Sequence, residues 1–138
     1  MSLLNFAREE VVTVGPGGTV GEAVRRMEEK KVGCLVVTEA RRPVGILTDR
    51  DVALRVTGAG LDPETTAVET VMTPRPCVLE EELGLFEALE IMKDRGVRRF
   101  PVVDPHGHLS GFFTLDDVLY LLGLELSAVA RIVDQASP

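Results

Sequence analysis

The sequence predicts an α+β protein made of two pseudo-symmetric β-α-β-β-α units, packed sheet to sheet with a cleft between them. Three observations lead there. The segment Gly45-Ile46-Leu47-Thr48-Asp49-Arg50-Asp51 returns as Gly111-Phe112-Phe113-Thr114-Leu115-Asp116-Asp117. The likeness extends upstream in register: Glu22/Glu87, Ala23/Ala88, Met27/Met92, Val32/Val97 and Val37/Val102 stand 65 residues apart, and Gly45/Gly111, Thr48/Thr114 and Asp51/Asp117 stand 66 apart. Within each copy, short apolar runs alternate with a helical 3.6-residue period. Chance identities would neither hold register nor place their single gap in a turn, so this is a duplicated pair.

The elements follow in order. Val11 to Val14 reads as a short strand, closed by the turn Gly15-Pro16-Gly17-Gly18. Thr19 and Glu22 form a capping box, the Thr oxygen taking a free amide while the Glu reaches back. The helix they start carries Val20, Ala23, Val24 and Met27 as a stripe facing a sheet, matched in the second copy by Leu85, Ala88, Leu89 and Met92. Cys34 to Val37 and Phe100 to Val103 suit buried strands, with Pro101 pointing to the start or an edge of the second. Turns at Ala40 to Pro43 and Asp104 to His108 precede the strands Val44 to Leu47 and Leu109 to Phe113, each leading into a closing helix. Between the copies, Gly58 to Pro63 is a polar connector, and Thr65 or Thr66 starts a short helix with Val68, Val71 and Met72 that Pro74 stops. Leu3, Leu4 and Phe6 are a partial counterpart of that helix. The spacing of Leu122, Leu126, Val129 and Val133 adds one more helix, its apolar stripe packed on its own domain or on a second copy. The expected units are residues 1–62 and 63–138. Neither three-stranded half buries both its sheet and its helices alone, so the halves pack on each other.

Composition bounds the function. The chain has 138 residues, 45% of them apolar, with no Trp and one Tyr, so its core is aliphatic. The net charge of −7 argues against nucleic-acid binding, which needs a basic face. Cys34 and Cys77 lack metal-ligand spacing and read as reduced thiols. No signal-peptide pattern opens the chain, and its apolar runs fall short of the roughly 18–20 residues of a membrane span, so a cytoplasmic protein is expected.

The repeated Thr-x-x-Asp is the candidate site. Taken singly, Thr at an N-cap with Asp three residues on merely starts a helix. Two copies, each where a strand gives way to a helix N-terminus, place free amides beside a carboxylate and a hydroxyl. Asp51 and Asp117 are able to accept hydrogen bonds from both hydroxyls of a ribose, and Thr48 and Thr114 to bind a sugar or phosphate oxygen. Capping and binding are compatible. The copies differ where Arg98-Arg99 stands in place of Gly33-Cys34: either two solvated arginines at a strand start, or a fork suited to phosphate. Phe112-Phe113 against Ile46-Leu47 either reshapes the second pocket or simply packs the core.

The repeated unit resembles the CBS motif, named for cystathionine beta-synthase, and two in tandem resemble a Bateman module. The resemblance runs from about Asn5 to Leu122. Besides the two Gly-h-h-Thr-x-x-Asp segments it is carried by Val68-Glu69-Thr70-Val71-Met72-Thr73-Pro74 and by Gly96-Val97-Arg98-Arg99-Phe100-Pro101-Val102-Val103-Asp104. It implies an adenosine-containing ligand (AMP, ADP, ATP, S-adenosylmethionine or NAD) in the cleft. The ribose acids then fall on Asp51 and Asp117, the hydroxyls on Thr48 and Thr114, the adenine wall on Val32, Gly33, Cys34 and Val97, and phosphate contacts on Arg98 and Arg99. It also implies association in twos through helices, giving a homodimer.

Other features carry less. His106-Gly107-His108 has no third metal ligand nearby and reads as a polar turn. Arg41-Arg42 reads as solvated, and Cys34 as a small buried filler. Gly15 to Gly18 lacks the Lys and Ser/Thr of a P-loop. No nucleophile, base or metal set points to an enzyme, and no catalytic cofactor is implied. The expectation is a sensor that reports an adenine nucleotide to an unidentified effector protein; the alternative is a dimerisation scaffold without ligand.

Overall fold

The computed structural model describes residues 2–137. A 3-10 turn, Leu3–Asn5, precedes β1 (Thr13–Val14), α1 (Val20–Lys30), β2 (Cys34–Glu39) and β3 (Arg42–Thr48). Then come α2 (Asp49–Asp51), which continues as a π-helical stretch Val52–Thr57, α3 (Val68–Val71) and β4 (Thr73–Pro74). The second copy supplies β5 (Leu79–Glu80), α4 (Leu85–Arg95), β6 (Arg99–Val103), β7 (Leu109–Thr114) and α5 (Leu115–Ala136). The sheets run β1-β2-β3-β4 and β5-β6-β7, with parallel pairing only between β1 and β2 and between β5 and β6. The α+β duplication is therefore present, with one half carrying an extra strand.

That extra strand reveals an exchange. The segment leading into the second copy completes the first: the Val68 amide donates to Gly18 O at 2.8 Å, Thr73 pairs with Ile46, and Val68 and Val71 lie in the first core with Leu35 and Leu47. The segment leading into the first copy does the same for the second. The Leu3 amide donates to Leu83 O at 2.6 Å, Arg8 bridges Phe112, and Leu3 is fully buried with Phe100 and Phe113. Leu3, Leu4 and Phe6 are thus the counterpart of the α3 segment, serving the far half. The repeated glycine has its reason here. A Cβ on Gly45 would collide with Met72, and one on Gly111 would press on Ala7 Cβ and Arg8 O at 3.2 Å.

Local chemistry explains the elements. The Thr19–Glu22 box forms as expected, Glu22 N donating to Thr19 Oγ1 at 3.2 Å. In α4, Gly84 is the N-cap and has no side-chain oxygen to offer, so only the Glu87 half of the box exists. The hairpin at Ala40-Arg41 is tighter than expected. Both residues take positive φ (48° and 65°), the two-residue turn that matches strand twist, and β3 already begins at Arg42. Asp104 organises the other hairpin by accepting the His106 and His108 amides at 2.8 and 2.9 Å. The His108 amide leads in holding the Asp104 carboxyl below its ordinary range.

Several expectations need correction. β1 is only Thr13–Val14, not Val11 to Val14. Val24 is not on the buried stripe: it is 37% exposed, while Val20, Ala23 and Met27 are buried. The short helix starts after Ala67, because the Thr65 and Thr66 amides are turned back to Asp62 O. Pro101 lies in the middle strand of its sheet, not at an edge. The Val36 amide donates to Val12 O at 3.1 Å, whereas Pro101 has no amide to donate, and β5 pairs from Val102 onward, one step later than β1. The expected separate C-terminal helix is the second half of α5, and Leu122, Leu126, Val129 and Val133 are exposed rather than packed back. Among the described residues, no helix is long and apolar enough to cross a membrane.

Candidate functional site

Each Thr-x-x-Asp closes a capping box. At α2 the Asp51 amide donates to Thr48 Oγ1 at 3.1 Å, and Asp51 Oδ2 accepts the Thr48 amide at 3.0 Å. At α5 the same pair of bonds measures 3.1 and 3.0 Å, and the Thr114 hydroxyl also donates to Asp117 Oδ2 at 2.9 Å. The backbone enters both helices extended, as an N-cap requires. The capping reading is therefore realised in full at both sites.

The remaining carboxylate oxygens are met differently. Asp51 Oδ1 lies 3.6 Å from Arg55, one turn along the same helix. Asp117 Oδ1 accepts Arg8 Nε at 3.1 Å and Nη2 at 3.0 Å, from the segment that bridges β7. Arg8 covers it: the Asp117 side chain is 13% exposed, that of Arg8 61%. Sequence reasoning missed Arg8. The one available signal was the repeat register itself, which carried upstream matches Arg8 with Thr73.

A cavity of about 250 Å³ joins the two halves. Val32, Gly33 and Cys34 from the first copy line it together with Arg99 and Thr114 from the second, and Arg8, Lys31, Phe112 and Asp116 complete the relevant part of its wall. Residues some 65 to 80 positions apart are thus brought to one site. The Asp49 carboxylate stands over Gly33: a Cβ added there would lie 2.8 Å from Oδ2, so the exposed Asp49 side chain would have to swing aside. Where Gly33 accepts the Asp49 amide at 2.9 Å, Arg98 accepts that of Leu115, an apolar residue that leaves room for a side chain. Lys31 holds φ 55°, the left-handed conformation taken by Gly96 in the other copy.

The predicted residues divide accordingly. Val32, Gly33, Cys34, Arg99 and Thr114 share the cavity; Thr48, Asp51, Val97, Arg98 and Asp117 are not on its wall. Arg98 points to Asp116 at 3.6 Å, both largely exposed. Asp117 stands behind Arg8. Phe112 lines the cavity while Phe113 is wholly in the core, so each reading of that pair holds for one of the two. Both cysteines are free. Cys34 is half-buried on the cavity wall, where burial pushes its thiol up to about 11 against the opposing pull of Arg99. Three cations, Arg8, Lys31 and Arg99, and two carboxylates, Glu10 and Asp116, meet the cavity of a protein with net charge −7.

The CBS domain family model matches residues 4–58 and 68–124. An uncharacterized protein of Methanopyrus kandleri is 35% identical over 86% of this chain, which spans 61% of that relative's length and less than a quarter of several longer ones. The CBS-pair protein CBSX2 of Arabidopsis thaliana superposes with TM-score 0.77 at 27% identity, over 92% of this chain and 96% of that one. A CBS domain protein of Pyrobaculum aerophilum complexed with AMP superposes with TM-score 0.78, over 93% and 99%; at 22% identity it speaks for the fold alone. The chain belongs to the CBS domain family and carries two copies in tandem.

Proposed function

We propose that this CBS pair, a regulatory module by family, binds an adenosine-containing ligand in its cleft and reports occupancy to an effector protein. One observation carries the reading: a single cavity faces the apolar wall Val32-Gly33-Cys34 with Thr114 and Arg99 from the other half. At about 250 Å³ it sits just below the usual small-molecule range of roughly 300–1,000 Å³, which suits a flat base inside and its phosphate at the mouth. In this reading Thr114 and Asp117 hold the sugar and Arg99 the phosphate. Thr48 and Asp51, with Val97 and Arg98, serve the pseudo-symmetric site. Occupancy acts by shifting an existing equilibrium, to the extent that ligand prefers one state. The exposed row Leu122, Leu126, Val129 and Val133 on α5 is assigned to a second copy, giving a homodimer.

Calorimetry and thermal shift with AMP, ADP, ATP, S-adenosylmethionine and NAD test this. At least one binds at roughly micromolar Kd, and Asp51→Ala with Asp117→Ala abolishes it. Binding by none of them leaves the scaffold reading, and turnover of a bound nucleotide would make the protein an enzyme. Sedimentation of the same sample gives a dimer; a monomer at all concentrations removes the assignment of α5.

A further inference from the structure

We infer that Arg8 is a specificity-determining residue with two positions: it neutralises Asp117 when no ribose is on that carboxylate, and turns to the 5′-phosphate when a ribose is. The inference rests on the nucleotide reading above and adds to it a residue and a selectivity.

Asp117 has no free oxygen to give. Oδ2 is committed to the Thr114 amide and hydroxyl, and Oδ1 is taken by Arg8 through two nitrogens. A ribose that binds Asp117 therefore displaces the Arg8 guanidinium. Arg8 is built to be displaced without leaving. Its backbone is fixed on both sides, its amide donating to Phe112 O at 2.9 Å and its carbonyl accepting from Phe112 N at 3.0 Å. Its side chain is 61% exposed and lines the cavity with Lys31 and Arg99. Released from Asp117, the guanidinium stays on a wall that Lys31 and Arg99 also line, against the carboxylates of Glu10 and Asp116, and the arginine fork matches the oxygens of a phosphate there. The other half lacks the device: Thr73 occupies the position of Arg8, and Asp51 is met from its own helix by Arg55.

The consequence is a crossed effect. Adenosine displaces Arg8 with no phosphate to offer it, whereas AMP supplies one. Calorimetric titration of the full chain with adenosine and with AMP, before and after Arg8→Ala, reads this directly. AMP binding is expected to weaken by roughly 10- to 100-fold, the loss of one charge-assisted contact. Adenosine binding is expected to tighten about 2- to 5-fold, because an exposed ion pair no longer competes. Arg8→Gln keeps the aliphatic stem and a polar end while removing the charge, and should show the same crossed signs should Arg8→Ala fold poorly. Losses of equal size for both ligands, or no change in either, overturn the role of Arg8 while leaving the nucleotide reading in place. Binding of neither ligand by the unaltered chain overturns the role of Arg8, and the nucleotide reading falls with it only when ADP, ATP, S-adenosylmethionine and NAD fail as well.

Discussion

At the end of β3, Thr48 and Asp51 close a capping box whose carboxylate faces Arg55 at 3.6 Å, four residues away. At the end of β7, Thr114 and Asp117 close the same box, but the carboxylate is held at 3.0 Å by Arg8, 109 residues away. The two halves share the glycine under the exchanged segment, the closing Thr-x-x-Asp box and the buried Ala and Met of the first helix, though not that helix's own N-cap or the hairpin turn. They diverge where side chains face the cavity. Gly33 and Cys34 stand against Arg98 and Arg99, Lys31 against Gly96, and Arg8 against Thr73. Duplication preserved what folds the chain, and the polar wall varied on top of it.

The largest test of this comparison is in the cores. Leu47 and Phe113 are equivalent and both fully buried. Leu47→Ala should cost about 2–5 kcal/mol and Phe113→Ala about 3–5. Because each core is completed by the segment that leads into the other copy, either variant should unfold the whole chain in one step. Thiol labelling of Cys34 and Cys77 along a urea series follows the two halves separately, and separated midpoints would break the exchange argument.

A smaller effect distinguishes the parallel pairs. Val36→Pro removes the donation to Val12 O and should cost roughly 1–3 kcal/mol, whereas Pro101→Val restores a donor and should gain about 0.5–1.5 kcal/mol. Chemical denaturation measures both. A Val36→Pro chain as stable as the unaltered one would show that the one-residue difference between β1 and β5 has another cause.

An effect confined to alkaline pH is in the cavity wall. With the Cys34 thiol pushed up to about 11 by burial from an ordinary value of 9.0, the folded state favours the protonated form. Its contribution is complete below the unfolded value and lost as pH rises from about 9 toward 11. Stability measured from pH 8 to 11 should therefore fall less steeply in Cys34→Ala. Identical slopes would show that the thiol is not held in its protonated form.

How far the sequence could be read differs between these layers. The capping boxes at Thr19, Thr48 and Thr114 were legible because both partners lie within three residues and the chemistry is local. The α1 stripe was legible except at Val24, since periodicity marks a face but not where that face ends. Pro101 was read as the start or an edge of its strand, whereas it lies inside the middle strand of its sheet, a place that depends on strand order. The run Leu115 to Ala136 was divided in two because a change of surroundings along a helix looks, in sequence, like a boundary. Of the candidate site, the Val32-Gly33-Cys34 wall, Thr114 and Arg99 were named from the residues and family resemblance, but which half would supply each wall was not readable.

The sequence by itself determined the duplication, the strand–helix order and the position of every Thr-x-x-Asp, because register, caps and turn chemistry act between near neighbours. Only the tertiary structure decided that the first segment completes the second core, that one cavity draws its walls from both copies, and that Arg8 covers Asp117. Those outcomes depend on which surfaces meet when two half-cores close on each other, and a contact spanning 109 residues leaves no local pattern to read.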